Sequence, residues 1–180
     1  MTPGPLHAES SVLMLIDFQE KLVPAIDRGE QTVAQAARLA EAARILDVPV
    51  VATEQIPERL GPTVGALRGR VAVTIPKATF DACRDRAVSA AVPPSRGTVV
   101  LTGCEAHVCV LQTAFGLLQA GSRVAVVRDA VGSRRPESKE AALARLAHAG
   151  VDIVTAEMVM FEWLGTADRP EFRKMLPLIK

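Results

Sequence analysis

Aromatic residues are the scarcest class in this chain of 180 residues, which has five Phe, one Trp and no Tyr. Proteins that bind single-stranded nucleic acid stack bases on such side chains and add positive charge for the phosphates. Here 21 Lys and Arg residues nearly balance 20 Asp and Glu residues, which leaves a net charge of +1. The composition therefore argues against a nucleic-acid partner and against binding to an anionic membrane surface.

Cysteine and histidine are also few, with three residues of each. Three cysteines are an odd number and too few for a disulfide framework, so each must be considered separately. The histidines, His7, His107 and His148, lie far apart in the sequence. None of them has the spacing that is typical of a zinc site.

Long apolar runs are missing, since most runs extend over only four to six residues. Such runs are too short to cross a bilayer, and residues 1–9 lack the basic start and apolar stretch of a signal peptide. We therefore expect a cytoplasmic protein without a membrane partner. The length favours one domain over residues 1–180, with 49% hydrophobic residues to form its core.

Short apolar runs of strand length alternate with amphipathic segments of helical periodicity. The predicted strands cover residues 12–16, 50–53, 71–75, 98–101, 123–127 and 151–155. This alternation predicts an α/β protein, a three-layer α/β/α sandwich around a six-stranded, mostly parallel sheet. Ligands of such sheets bind beyond the carboxyl ends of the strands, so the residues after each strand are the candidates for a site.

Cys109 lies near the start of a predicted helix that follows the strand at residues 98–101 and the turn at Gly103. The helix dipole and the unpaired N–H groups of a first turn favour a thiolate, which is a nucleophile. An inward-facing cysteine on a helix is more often a small core residue, and spacing alone leaves both roles open. Cys83 and Cys104 have no supporting constellation, and we interpret both as structural.

Asp17 follows a buried strand, and Lys77 follows Pro76 at the predicted end of another. If both side chains meet Cys109 at one edge of the sheet, the lysine stabilises a thiolate and the carboxylate accepts the thiol proton. Each residue also has a plainer role. Asp17 is suited to capping the segment after it, and a lone lysine in a loop is most often solvated.

Five short segments lie at the ends of predicted strands. They are Leu15-Ile16-Asp17-Phe18-Gln19, Thr53-Glu54-Gln55, Pro76-Lys77-Ala78-Thr79-Phe80, the stretch TGCEAHVCV at 102–110, and Asp129-Ala130. In this order they resemble the isochorismatase-like cysteine hydrolases, a superfamily with a Rossmann-like fold that includes nicotinamidases and N-carbamoylsarcosine amidases. The resemblance extends over about residues 12–163, and its loop and tail sequences are most similar to the small isochorismatase-domain proteins.

The resemblance implies a catalytic triad of Asp17, Lys77 and Cys109. It also implies a cis peptide bond between Cys104 and Glu105, and an oxyanion hole made by the backbone N–H groups of Glu105 and Cys109. The expected reaction is attack of the thiolate on an amide or related carbonyl of a small molecule, followed by hydrolysis of a thioester. A homo-oligomer, a dimer or larger, is expected as well.

Further side chains near these motifs are predicted to contact the substrate. They are Phe18, Gln19, Glu54, Gln55 and Phe80. Three more, His107, Arg134 and Trp163, have no assigned role, although Arg134 and Trp163 are also candidates for substrate specificity.

Departures from the family pattern reduce the number of possible functions. Nicotinamidases carry an Asp-x-His metal motif and further histidines after the second strand, whereas residues 53–63 contain no histidine. We therefore predict no metal and no cofactor. Isochorismatases hydrolyse a vinyl ether and do not need the cysteine, so Cys109 argues against that reaction. The alternatives that stay open are a vinyl-ether hydrolase that relies on Asp17 and a non-catalytic oligomeric binding protein.

Overall fold

The computed structural model describes residues 4–179 and contains one six-stranded sheet with the order β3-β2-β1-β4-β5-β6. Every neighbouring pair of strands is parallel. The strands are β1 (Ser11–Ile16), β2 (Val50–Gln55), β3 (Val73–Lys77), β4 (Thr98–Cys104), β5 (Arg123–Gly132) and β6 (Asp152–Val154). The sheet is thus wholly parallel, where the sequence predicts a mostly parallel one.

Helices cover both faces of this sheet and complete the three predicted layers. They are α1 (Gly29–Ile45), α2 (Pro57–Leu60), α3 (Gly65–Arg68), α4 (Arg86–Ala91), α5 (Leu111–Gln119), α6 (Pro136–His148), α7 (Ala156–Leu164) and α8 (Phe172–Ile179). One core cluster contains buried residues of α1, α7 and α8, and the other contains buried residues of α4, α5 and α6. No helix within residues 4–179 is long and apolar enough to cross a membrane.

Strand β1 shows why the sheet is covered on both sides. Leu13 and Leu15 pack into the cluster with α1, while Val12, Met14 and Ile16 pack into the cluster with α5. Successive side chains of a strand point to opposite faces, so an uninterrupted apolar run needs a core on each face. Because the chain winds outward from β1 in one direction and from β4 in the other, the strand order reverses between these two central strands.

Strand β3 is longer at its carboxyl end than the sequence predicts. Pro76 is expected to end the strand, yet it pairs with Glu54, and Lys77 pairs with Gln55. The strand lies at an edge of the sheet, where a proline can be accommodated because the ladder hydrogen bonds on one side are not used. Lys77 is therefore held by the sheet itself instead of by a loop.

The segment after β4 begins as a π-helical turn over Ala106–Val110 before α5 starts at Leu111. The sequence predicts a regular helix from about residue 107. Turns of this kind are frequent at functional sites, because the wider spiral changes the direction of its side chains. Cys109 lies in this turn.

Candidate active site

Asp17 occupies the first position after β1, in a left-handed conformation with φ of 52°. Its Oδ1 accepts a hydrogen bond of 2.7 Å from Thr53 Oγ1, and its Oδ2 lies 2.7 Å from Lys77 Nζ. The carboxylate is buried and has these partners across β2 and β3, so it does not act as a cap for the following segment. Thr53 is not among the predicted site residues, although it pairs with Ile16, the residue directly before Asp17, in the ladder.

The Lys77 side chain is completely buried, in contrast to the solvated lysine that a loop position would favour. Its ammonium group donates to Asp17 Oδ2, to Gln55 Oε1 at 2.6 Å and to the Thr79 carbonyl at 3.2 Å. An ammonium group has three hydrogens to donate, and each one has an acceptor here. Lys77 is consequently fixed in one orientation with its charge held beside Asp17.

Cys109 has only 6% of its surface exposed, and its thiol faces the Asp17 carboxylate. Burial and, to a smaller extent, the negative charge of Asp17 raise the pKa of the thiol to about 12, while the positive charge of Lys77 opposes this shift. The helix start alone predicts a thiolate, but here the loss of solvation has the larger effect. Cys109 is thus held as a thiol close to a carboxylate.

The peptide bond between Cys104 and Glu105 is cis. It connects β4 to the turn that carries Cys109, and the Glu105 carbonyl accepts hydrogen bonds from the N–H groups of Val108 and Val110. The Glu105 side chain points toward β5, where its carboxylate accepts from the backbone N–H and the guanidinium of Arg134. Glu105 therefore ties the turn to the segment that follows β5.

Two of the predicted substrate contacts lie inside the protein, where they hold loops together. Gln19 is buried and bonds both backbone groups of Gln55, and it also donates to the Gly61 carbonyl at 2.7 Å. Gln55 binds Lys77 and donates to the Ala78 carbonyl. Both glutamines thus position the loops around Asp17 and Lys77.

The other predicted contacts are spread over different environments. Glu54 accepts two hydrogen bonds from Thr63. Phe18 is 1% exposed and belongs to the core beside α1, while Phe80 is 52% exposed next to the segment that carries Lys77. Of these three side chains, Phe80 is the most exposed.

Trp163 does not lie in a loop near the site. It is buried in α7, and its indole N–H donates to Ser11 Oγ at 3.1 Å. Ser11 begins β1, whereas Asp17 follows the end of this strand. Trp163 therefore lies at the amino-terminal end of β1, opposite the end at which Asp17 lies. It is a core residue because the large side chain fills the space between α7 and the sheet.

Neither of two cavities in the structure is lined by Asp17, Lys77 or Cys109. The larger, of about 610 Å³, lies along α4 and the end of α5. A second, of about 480 Å³, is lined by His107, Arg134, Arg135 and Ser138, next to Glu105. Among residues 4–179 no group of three or more His, Cys, Asp or Glu side chains is arranged to hold a metal ion.

A profile of the isochorismatase domain matches residues 11–158. This chain belongs to the isochorismatase family. Isochorismatase domain-containing protein 2 of Rattus norvegicus is 38% identical over 177 residues, which cover 98% of this chain and 84% of the relative. The family resemblance that the motifs indicate is thereby confirmed, over nearly the full length of the chain.

Solved structures support the same fold. The MAR1 ribonuclease of Caenorhabditis elegans is 35% identical and superposes with a TM-score of 0.93. The superposition covers 98% of this chain and 92% of that one. The YcaC gene product of Escherichia coli, described as an octameric hydrolase of unknown specificity, has a TM-score of 0.86. The two chains are covered to 98% and 97%, and at 19% identity this likeness concerns the fold alone. The chain therefore has the fold of the isochorismatase-family hydrolases.

Proposed function

We propose that this protein is a metal-independent cysteine hydrolase of a small amide, carbamoyl or related carbonyl compound. The observation that carries the proposal is the buried contact between Lys77 and Asp17 in front of the Cys109 thiol. A nucleophile, a proton acceptor and a fixed positive charge are the groups that covalent hydrolysis of a carbonyl requires.

In the first half of the reaction, Cys109 Sγ attacks the carbonyl carbon while its proton passes to the Asp17 carboxylate. Because the resting thiol has a raised pKa, this transfer accompanies the attack and does not precede it. The backbone N–H groups of Glu105 and Cys109 stabilise the developing oxyanion. When the carbon–nitrogen bond breaks, Asp17 returns the proton to the leaving ammonia or amine, and a thioester stays on Cys109.

In the second half, a water molecule attacks the thioester carbonyl and gives one proton to Asp17. The carbon–sulfur bond breaks, the sulfur takes that proton back, and the acid product leaves. Lys77 stays protonated throughout, since its three hydrogens are all bonded to acceptors. Its role is to orient Asp17 and to stabilise the negative charge that moves between carboxylate and sulfur.

Alkylation tests whether Cys109 is the nucleophile. Iodoacetamide should label Cys109 faster than Cys83, although Cys83 is less buried, because Asp17 accepts the proton and Lys77 stabilises the sulfur anion. Peptide mass spectrometry measures the three rates. Equal rates at all three cysteines, or labelling of Cys109 only after unfolding, would argue against this role.

A panel of small amides, carbamoyl compounds and esters distinguishes the proposal from the other functions. We expect turnover of at least one class, and we expect Cys109→Ala to abolish it. A vinyl-ether hydrolase would instead hydrolyse isochorismate and keep that activity in Cys109→Ala. Absence of any turnover that depends on Cys109 would favour a non-catalytic binding protein.

Ribonuclease activity is a second candidate, favoured by the name of the C. elegans neighbour. The net charge of +1 and the few aromatic residues make an RNA-binding surface a poorer match than a small substrate. A labelled single-stranded RNA incubated with the wild type and with Cys109→Ala decides the matter. Cleavage that is lost in the variant would support the ribonuclease.

We further propose that the whole chain forms one domain and that it works in the cytoplasm as a homo-oligomer. The exposed Phe80 beside the site and the exposed Met158 and Phe161 of α7 are apolar surfaces that a second copy would cover. Light scattering coupled to size-exclusion chromatography measures the mass in solution. A mass of 19.2 kDa, that of one chain, would contradict the oligomer.

A further inference from the structure

Thr53 and Asp17 are joined by two hydrogen bonds that run in opposite directions. The backbone N–H of Asp17 donates to the Thr53 carbonyl at 3.1 Å, and Thr53 Oγ1 donates to Asp17 Oδ1 at 2.7 Å. Neither residue is exposed to solvent. One neighbour thus holds both the backbone and the side chain of the proposed proton acceptor.

The position of Thr53 in the sheet makes its hydroxyl group a rigid support. Thr53 pairs with Ile16 of β1 on one side and with Ile75 of β3 on the other. Ile16 directly precedes Asp17, and Ile75 lies two residues before Lys77. Because the β carbon of threonine is branched, its side chain also has few rotamers. The hydroxyl group therefore extends from a fixed point between the strands that lead to Asp17 and Lys77.

The Thr53 hydroxyl and the Lys77 ammonium group bind different oxygens of the Asp17 carboxylate. Thr53 Oγ1 contacts Oδ1, whereas Lys77 Nζ lies 2.7 Å from Oδ2. The terminal torsion of an aspartate is soft, so a carboxylate that is bound through one oxygen turns easily, and one that is bound through both does not. An ionised carboxylate has about four positions that accept a hydrogen bond, so these two contacts leave room for the thiol proton.

A buried threonine hydroxyl does not need a carboxylate as its partner. Thr32, for example, donates to the Arg28 carbonyl at 3.1 Å. Thr53 donates instead to an ionised group, and such a hydrogen bond is stronger than one between neutral groups. Because Thr53 is fully buried, it does not contact a substrate, and its effect on the reaction passes through Asp17.

We propose that Thr53 is a positioning residue, whose hydroxyl group holds the Asp17 carboxylate in the orientation in which it accepts the proton of the Cys109 thiol. The proposal rests on the proposed function, since it concerns the same nucleophile and the same proton acceptor. Without the hydroxyl group, Asp17 keeps its contact with Lys77 but turns more freely. Misplacement of a reacting group by about 1 Å slows a reaction by up to about a hundredfold.

An activated ester, p-nitrophenyl acetate, is the probe for this step. Cys109 Sγ bonds to the acetyl carbon, the ester carbon–oxygen bond breaks, p-nitrophenolate leaves, and the thiol proton passes to Asp17. The absorbance of p-nitrophenolate gives the rate of the first turnover, and the part of this rate that is lost in Cys109→Ala belongs to Cys109. Peptide mass spectrometry checks that the acetyl group is on Cys109.

Two variants separate the Thr53 hydroxyl group from its packing. Thr53→Val keeps the shape of the side chain and removes the hydroxyl group, whereas Thr53→Ser keeps the hydroxyl group and removes a methyl group. We expect the Cys109 rate to fall about ten- to a hundredfold in Thr53→Val and to stay close to the wild-type rate in Thr53→Ser. A packing role would give the opposite order, because serine leaves a void and valine does not.

Thr32→Val is the matched control. Thr32 is also buried, and its hydroxyl group bonds the Arg28 carbonyl just before α1, so the same substitution there should leave the rate unchanged. Circular dichroism checks that each variant is folded. If Thr53→Val does not fold, Thr53→Ala replaces it, and Thr53→Ser then differs from that variant only by the hydroxyl group.

Three results would overturn the proposal. They are a wild-type rate in Thr53→Val or Thr53→Ala, a rate in Thr53→Ser as low as in the variant without a hydroxyl group, and an equal loss in Thr32→Val. Each of these leaves the nucleophile itself intact. A wild type that loses no rate when Cys109 is replaced would instead overturn the proposed function, and the inference with it.

Discussion

Lys77 Nζ lies 2.7 Å from Asp17 Oδ2, and neither side chain is exposed to solvent. The two residues are 60 positions apart in the sequence and come from the ends of different strands. An ion pair of this kind is costly to desolvate, so its presence is weak evidence for stability. Its position in front of Cys109 is the central feature of the proposed mechanism.

Replacing one member of this ion pair should lower the free energy of unfolding more than replacing both members. We expect Lys77→Met to lower the free energy of unfolding by about 3–5 kcal/mol, because it leaves the Asp17 charge buried without its cation. The double variant Asp17→Asn/Lys77→Met should recover most of that loss while staying inactive. Urea denaturation measures both values. A cost below about 1 kcal/mol for Lys77→Met would show that Asp17 is solvated.

Cys109→Ala should separate activity from stability. Turnover of any substrate found should fall by at least about a thousandfold, because no other group can form the thioester. Loss of one small buried atom should lower the free energy of unfolding by only about 1 kcal/mol. Cys83→Ala is the matched control, with the same substitution at a half-buried site, and it should keep turnover. A large loss of stability with retained turnover would show that Cys109 is a packing residue of the core and not the nucleophile.

Alkaline pH should destabilise the folded protein through its buried thiols. The pKa of Cys109 and that of Cys83 are each raised to about 12, and burial also raises the pKa of Cys104. Above the ordinary thiol pKa the unfolded chain loses these protons while the folded protein keeps them, so stability is lost as the pH rises from about 9 toward 12. Each thiol contributes up to about 1.4 kcal/mol per pH unit in that window.

The measurement is the slope of the unfolding free energy against pH between 9 and 10.5. Replacing Cys104 by Ala should reduce the slope, whatever it does to the stability at pH 7. An unchanged slope would mean that this thiol ionises as readily in the folded protein as in the unfolded chain.

Gly103 should tolerate no side chain. Its φ is 131°, and a Cβ atom there would lie 2.1 Å from the Ile16 carbonyl oxygen. Gly103→Ala should therefore lower the free energy of unfolding by more than about 3 kcal/mol or prevent folding. Gly97→Ala is the control, since a Cβ there meets no atom within 4 Å, and it should change stability by less than about 0.5 kcal/mol. Similar thermal midpoints for the two variants would contradict the close approach of β1 and β4.

Much of the architecture follows from local pattern. The uninterrupted apolar run at Val12–Ile16 predicts a strand buried on both faces, and that is where β1 lies. The end of β3 could not be predicted in the same way, because Pro76 normally ends a strand. Its place in the sheet depends on β3 being an edge strand, and that is a property of the strand order.

The sequence by itself determined where the strands lie, because apolar periodicity locates each one. It also determined the family, because the motifs at the strand ends identify it. Tertiary structure alone decided how those residues behave. It buried Gln19 between two loops that this side chain connects by hydrogen bonds. It also brought Thr53 into hydrogen-bond contact with Asp17 and paired Arg134 with Glu105. It also raised the pKa of the Cys109 thiol, because solvation and the field of distant charges depend on what surrounds a thiol in space.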